Sequence, residues 1–197
     1  HNRIGDVSAL KGMKELRWLA LNDNQISDVS SFRELKGLKQ LAELYLFDNQ
    51  ISDVSALRDL THLKKLNIDN NKITDASSFR KLKELMQLTE LYLQNNKISD
   101  VSALKELTQL KELYLHGNQI SDVSVLKEMK RLTKLDLSRN KISDVSALKD
   151  LTQLKELELY NNQISDVSAL EDMQQLWKLH LGHNRIGDVS ALKGMKE

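Results

Sequence analysis

One nine-residue string, Asn-x-Ile-Ser-Asp-Val-Ser-Ala-Leu, constrains this chain more than any other feature. It stands intact at 49–57, 96–104, 140–148 and 162–170, and near-copies begin at Asn2, Asn24, Asn71, Asn118 and Asn184. Successive asparagines are separated by 22, 25, 22, 25, 22, 22, 22 and 22 residues. Units this short cannot bury their own apolar residues. Each must lean on the next, so the chain has to stack as one continuous array.

The stretch Leu110-Lys-Glu-Leu-Tyr-Leu-His-Gly-Asn118-Gln-Ile120 shows how one unit works. Leu113, Tyr114 and Leu115 alternate as a half-buried strand does, inward and outward. Leu110, Leu113, Leu115 and Ile120 are core positions, and Val123, Leu126 and Met129 continue the core around the coil. The asparagine sits at a turn, where its amide both donates and accepts. A column of such asparagines, one per coil, would satisfy backbone groups of neighbouring turns. Asp28, Asp53, Asp100 and their equivalents precede short helical turns and are predicted to cap them by accepting backbone N–H bonds. The two 25-residue units carry Ser-Ser-Phe in place of Ser-Ala-Leu. Their apolar residues run Phe32, Leu35, Leu38, Leu41 and Phe79, Leu82, Leu85, Leu88, one three-residue step more than elsewhere. A longer helical turn is predicted at both places, with shorter 3₁₀ segments in the other coils.

The pattern LxxLxLxxNxIxDVSxLxxLxx resembles leucine-rich repeats of the 22-residue class, those of bacterial internalins and of the phosphatase-regulatory-subunit type. The resemblance covers the whole chain. It implies an α/β solenoid: a curved right-handed superhelix with a parallel β-sheet on its concave side and short 3₁₀ or α segments on its convex side. It also implies a non-enzymatic module that binds another protein on the concave sheet. Internalin repeats commonly carry Pro after the Ser, and this chain has no Pro. An internalin-like protein with signal and anchor segments works at the cell surface or is secreted; one without them is cytoplasmic. The sequence reads as a single domain over 1–197, with eight strand-bearing coils and an uncapped half coil at each end.

Composition removes several function classes. Lys plus Arg number 29 and Asp plus Glu 28, for a net charge of +1. That balance gives no electrostatic pull toward nucleic acid or an anionic membrane. No apolar run is long enough to insert into a bilayer. With no Cys, disulfides and thiol chemistry are excluded. The histidines do not gather into a metal site. No phosphate-binding glycine loop occurs, and no cofactor is expected.

The variable positions are the outward ones on the strands. One column reads Trp18, Glu43, Lys65, Glu90, Glu112, Lys134, Glu156, Lys178. The next reads Ala20, Tyr45, Asn67, Tyr92, Tyr114, Asp136, Glu158, His180, and the third Asn22, Phe47, Asp69, Gln94, His116, Ser138, Tyr160, Gly182. Five of the seven Phe and Tyr residues lie here. Exposed aromatic side chains are typical binding anchors. A protein or peptide partner would therefore meet Trp18, Glu43, Tyr45, Phe47, Asp69, Tyr92, Gln94, Glu112, Tyr114, His116, Asp136, Tyr160 and His180. The competing reading is that the aromatics pack only on one another across strands. Glu43–Lys65–Glu90 and Glu112–Lys134–Glu156–Lys178 alternate in sign and are predicted to pair sideways. Glu90 beside Glu112 breaks the alternation. Two carboxylates about 5 Å apart are the spacing of a retaining glycosidase, but no apolar pocket is visible to raise one of them.

Residues 1–15 and 183–197 are the same string, HNRIGDVSALKGMKE. Ile4, Val7, Leu10 and Met13 are predicted to cover the first coil in part, and Ile186, Val189, Leu192 and Met195 the last. The identity of the two ends favours a second reading: an engineered or fragmentary scaffold without a natural ligand that self-associates end to end.

Overall fold

The computed structural model describes residues 4–74 and 76–194. Among the described residues, eight three-residue strands form one parallel sheet in chain order. They are β1 (Trp18–Ala20), β2 (Glu43–Tyr45), β3 (Lys65–Asn67), β4 (Glu90–Tyr92), β5 (Glu112–Tyr114), β6 (Lys134–Asp136), β7 (Glu156–Glu158) and β8 (Lys178–His180). The middle residue of each strand is a leucine turned into the core, and the two beside it face out. A short 3₁₀ segment closes each coil on the opposite wall. No α-helix occurs among the described residues, so the convex segments are 3₁₀ throughout.

The 3₁₀ choice follows from the apolar spacing. A 3₁₀-helix turns once in three residues, so residues at i, i+3 and i+6 lie on one line. Leu57, Leu60 and Leu63 have that spacing, and all are buried. The same arithmetic explains the 25-residue coils: an insertion of three residues adds one turn and returns every following side chain to its former face. Ser30–Gly37 and Ala76–Glu84 run for 8 and 9 residues where most others run for 5, as predicted. Phe32 and Phe79 fill the extra width and are buried. The sheet does not register the insertion. Trp18 pairs with Glu43 across a 25-residue coil and Glu43 with Lys65 across a 22-residue one, in the same phase.

The core is a column of Leu, Ile and Val at equivalent positions, most of them wholly buried. Truncating one, such as Leu113→Ala, costs about 3 kcal/mol. The polar column runs beside it. From Asn49 to Asn184 each asparagine of the recurring string sends Nδ2 to carbonyls of its own coil and the preceding one; Asn49 Nδ2 donates to Leu46 O at 3.0 Å and Leu21 O at 2.9 Å. The aspartates cap as expected. Asp28 accepts the Ser30 N–H at 2.7 Å, Asp53 the Ser55 N–H at 2.7 Å and Asp100 the Ser102 N–H at 2.7 Å. The equivalent aspartate at 75 lies outside the described residues.

The end segments differ from expectation. Val7 is buried, with Ile4 and Leu10 packed beside it, but Met13 is exposed. At the other end Ile186 and Leu192 are half-buried while Val189 is exposed, and Met195 lies outside the described residues.

Candidate functional site

The outward side chains of the strands stand in register, which turns three sequence positions per coil into a continuous surface. Its first half is an aromatic ladder. The Trp18 and Tyr45 rings lie 5.5 Å apart at 49°, and Tyr92 and Tyr114 are stacked at 4.5 Å and 14°. Lys65 bridges the two pairs. Its Nζ sits 4.7 Å from the centre of the Tyr92 ring and 5.7 Å from that of Tyr45. The result is unbroken from β1 to β5.

A repeated tripeptide, Glu-Leu-Tyr, pins the rings. In β2, β4 and β5 the tyrosine hydroxyl donates to the glutamate two residues earlier: Tyr45 to Glu43 at 2.7 Å, Tyr92 to Glu90 at 3.2 Å and Tyr114 to Glu112 at 2.9 Å. Residues two apart on a strand share a face, so the contact is local and each ring is held without help from a neighbour. Burial raises the pKa of all three phenols, with the adjacent glutamates adding to the rise for Tyr45 and Tyr114. Burial works against the Lys65 ammonium, yet its hydrogen bonds to Glu90 and Tyr92 carry its pKa above the ordinary lysine value.

Pairing among the charges departs from the predicted alternation at two points. Lys65 reaches Glu90 at 3.0 Å, and Lys134 lies between Glu112 at 3.5 Å and Glu156 at 3.3 Å, as expected. Glu43 is not paired to Lys65, whose ammonium goes to Glu90 and the Tyr92 hydroxyl instead. Lys178 turns past Glu156 to Glu158, at 2.8 Å. Glu90 and Glu112 are register partners, but each is engaged by a tyrosine and a lysine, and neither sits in the apolar pocket that a general acid needs.

The remaining predicted residues fall in two places. Phe47, Asp69, Gln94 and His116 form a flanking row. There Asp69 accepts the Gln94 N–H at 2.8 Å, and burial raises its pKa to about 6. Asp136, Tyr160 and His180 lie beyond β5, away from the ladder. His116 approaches Asp136 at 4.0 Å, His180 bonds Glu158 at 3.1 Å, and Tyr160 rests against the rings of His180 and His183, each at 4.9 Å. No group of three or more potential metal ligands occurs among the described residues.

One feature was not read from the sequence. Among the described residues, the one before each asparagine of the string has positive φ: Asp23, Asp48, Asn70, Asn95, Gly117, Arg139, Asn161 and His183, between 49° and 68°. Only Gly occupies this region freely, and Asn and Asp tolerate it. The signal was present as a column rich in Asp, Asn and Gly, and Arg139 and His183 obscured it. This turn bends the chain out of the strand and sets the edge of the surface.

Two-copy leucine-rich-repeat family models match residues 39–81, 87–128 and 130–172, and a single-copy model matches 176–193. The chain belongs to the leucine-rich repeat family. Leucine-rich repeat proteins of this kind are protein-binding modules. Among solved structures it is similar to an internalin C2 of Listeria monocytogenes, with 30% identity over 96% of this chain and 80% of that one and a TM-score of 0.86. It is also similar to an internalin F of the same organism, with 30% identity over 99% of this chain and 69% of that one and a TM-score of 0.79. A third relative is the Arabidopsis receptor kinase HAESA, solved with the peptide hormone IDA and the co-receptor SERK1. It is 26% identical over 92% of this leucine-rich repeat chain and 32% of the receptor, with a TM-score of 0.76. No curated protein matches the sequence.

Proposed function

We propose that this chain binds a protein or peptide across the open, concave face of its sheet. Trp18, Tyr45, Tyr92 and Tyr114 serve as anchors, while Glu43, Glu112, Asp69 and Asp136 select the partner. The observation that carries the reading is the ladder itself. Its rings are held in place before any partner arrives, by Glu-Leu-Tyr bonds and by stacking. Little side-chain freedom is then lost on binding, and that loss is among the main costs of association. Trp18 is 56% exposed at the end of the ladder, which a purely internal stacking role does not require. The HAESA relative, bound to a peptide hormone, supports the reading by likeness.

A displayed random-peptide library selected on the immobilised chain tests it. Recovered peptides are expected to lose binding to the Tyr92→Ala/Tyr114→Ala variant and to keep it with Lys105→Ala/Lys127→Ala on the opposite wall. Equal binding to both variants sinks the concave-face assignment.

A further inference from the structure

The three Glu-Leu-Tyr strands are not equally satisfied. In β4 the Glu90 carboxylate takes the Tyr92 hydroxyl at 3.2 Å and the Lys65 ammonium at 3.0 Å. In β5 Glu112 takes the Tyr114 hydroxyl at 2.9 Å and the Lys134 ammonium at 3.5 Å. In β2 the Oε2 of Glu43 takes the Tyr45 hydroxyl at 2.7 Å, and Glu43 makes no ion pair among the described residues. Register explains the difference. The residues beside Glu43 on the neighbouring strands are Trp18 and Lys65. Lys65 is committed to Glu90 and, at 3.3 Å, to the Tyr92 hydroxyl. Trp18 brings an indole and no charge.

The copy in β4 shows what such a place holds. Lys65 Nζ lies against a carboxylate, a hydroxyl and a ring together, 4.7 Å from the centre of the Tyr92 ring. In β2 the same carboxylate, hydroxyl and ring stand on one face, and Trp18 adds a second ring, 5.5 Å from that of Tyr45 and tilted by 49°. Indole attracts a cation more strongly than any other aromatic side chain. The chain's own lysines serve the sets in β4 and β5 and leave the one in β2 unserved. The wider face has the same sign. Its three outward columns carry seven carboxylates and three lysines, although the chain as a whole carries +1. One of those lysines, Lys134, is divided between Glu112 and Glu156.

We propose that the partner on the concave face is a basic peptide segment, and that Glu43, Tyr45 and Trp18 receive one of its lysine or arginine side chains. This rests on the concave-face reading above and adds the chemistry of the partner. The positive head meets the Glu43 carboxylate while the alkyl stem lies along the two rings. Lys65, 5.7 Å from the centre of the Tyr45 ring, fixes the direction of approach. A second cation beside it is repelled, so the incoming one enters from the Trp18 side. An acidic segment meets like charge along the whole face.

Displayed random peptides selected on the immobilised chain are the probe. Those whose binding needs Tyr92 and Tyr114 are expected to be richer in lysine and arginine than the unselected pool, and to weaken as salt rises. Replacing the basic residues of one such peptide by methionine, one at a time, is expected to find one whose loss raises Kd about tenfold on the parent chain and leaves it unchanged on Glu43→Gln. Glutamine still accepts the Tyr45 hydroxyl, so the variant removes the charge and keeps the ring in place. Glu106→Gln, which takes the same charge from the opposite wall, is expected to leave Kd as it was. Concave-face binders with no basic enrichment, or with the same Kd on Glu43→Gln as on the parent, overturn this proposal and leave the concave-face reading standing. Binders indifferent to Tyr92 and Tyr114 overturn both.

Discussion

Asn118 Oδ1 accepts the backbone N–H of Ile98, one coil earlier, at 3.0 Å, while its Nδ2 donates to Leu93 O at 3.0 Å and Leu115 O at 2.9 Å. A single buried side chain thus meets backbone groups on two coils, and it shares each carbonyl with a neighbouring asparagine: Asn96 Nδ2 also donates to Leu93 O and Asn140 Nδ2 to Leu115 O. Replacing it with alanine orphans the buried Ile98 N–H, which costs about 1–3 kcal/mol, and takes one of two side-chain donors from each carbonyl. Asn118→Ala is expected to destabilise the array by about 3 kcal/mol in urea titrations. Asn24→Ala should cost clearly less, because its Oδ1 has nothing to lose.

The positive-φ column allows a paired test. Arg139 holds φ at 52° with a side chain that has no local reason to be there. Relieving that strain outweighs the added freedom of the unfolded chain, so Arg139→Gly is expected to stabilise by about 0.5 kcal/mol. Gly117→Ala should act the other way, by about 1–2 kcal/mol. At φ 68° its new Cβ would meet Asn95 Oδ1 at 2.5 Å. Thermal midpoints of the two variants moving in the same direction would refute the strain argument.

Stability should pass through a maximum in mildly acidic solution. Hydrogen bonds from the serine two residues on lower the pKa values of Asp6, Asp28, Asp122, Asp144, Asp166 and Asp188. The folded chain holds these carboxylates more strongly than the unfolded one. Their contribution is therefore present above about pH 3.9 and is lost as pH falls through the lowered native values. Asp69 behaves oppositely. Burial raises its pKa to about 6, so its ionised form opposes folding at neutral pH and protonation relieves the cost. The urea midpoint is expected to rise from pH 7 to pH 5 and to fall below pH 4. Asp69→Asn should flatten the first arm and leave the second.

The tyrosine hydroxyls report on the ladder directly. Burial and the accepting Glu112 push the Tyr114 phenol well above its ordinary value, and burial does the same for Tyr92. In an ultraviolet titration Glu112→Gln is expected to move one phenol down without altering the fold. No change on that substitution would show that the Tyr114–Glu112 bond is not formed in solution.

Much of this was legible because the repeat averages over its own noise. Four intact copies of the string fix which positions are core, turn and cap. The three-residue insertion revealed the length of the outer segments, because Phe32 and Leu35 kept the spacing that a 3₁₀ turn demands. What the columns could not show was side-chain reach. Lys178 prefers Glu158 over the residue directly opposite, and Glu43 prefers its own strand's tyrosine, choices set by rotamers and not by register. Nor does a sequence column reveal that the Oδ1 of its first described member, Asn24, has no hydrogen-bond partner. Asn24 looks like every other copy until the missing donor is sought in three dimensions.

Every contact between elements joins neighbours in chain order. No residue near β1 supports anything near β8. Under tension applied to its two ends, such a molecule has no central knot to give way. It comes apart coil by coil from whichever end is looser, each step releasing on the order of 70 Å of chain. The array would then behave as a graded extensible element, taking up length in repeated equal increments and reforming them as the load falls.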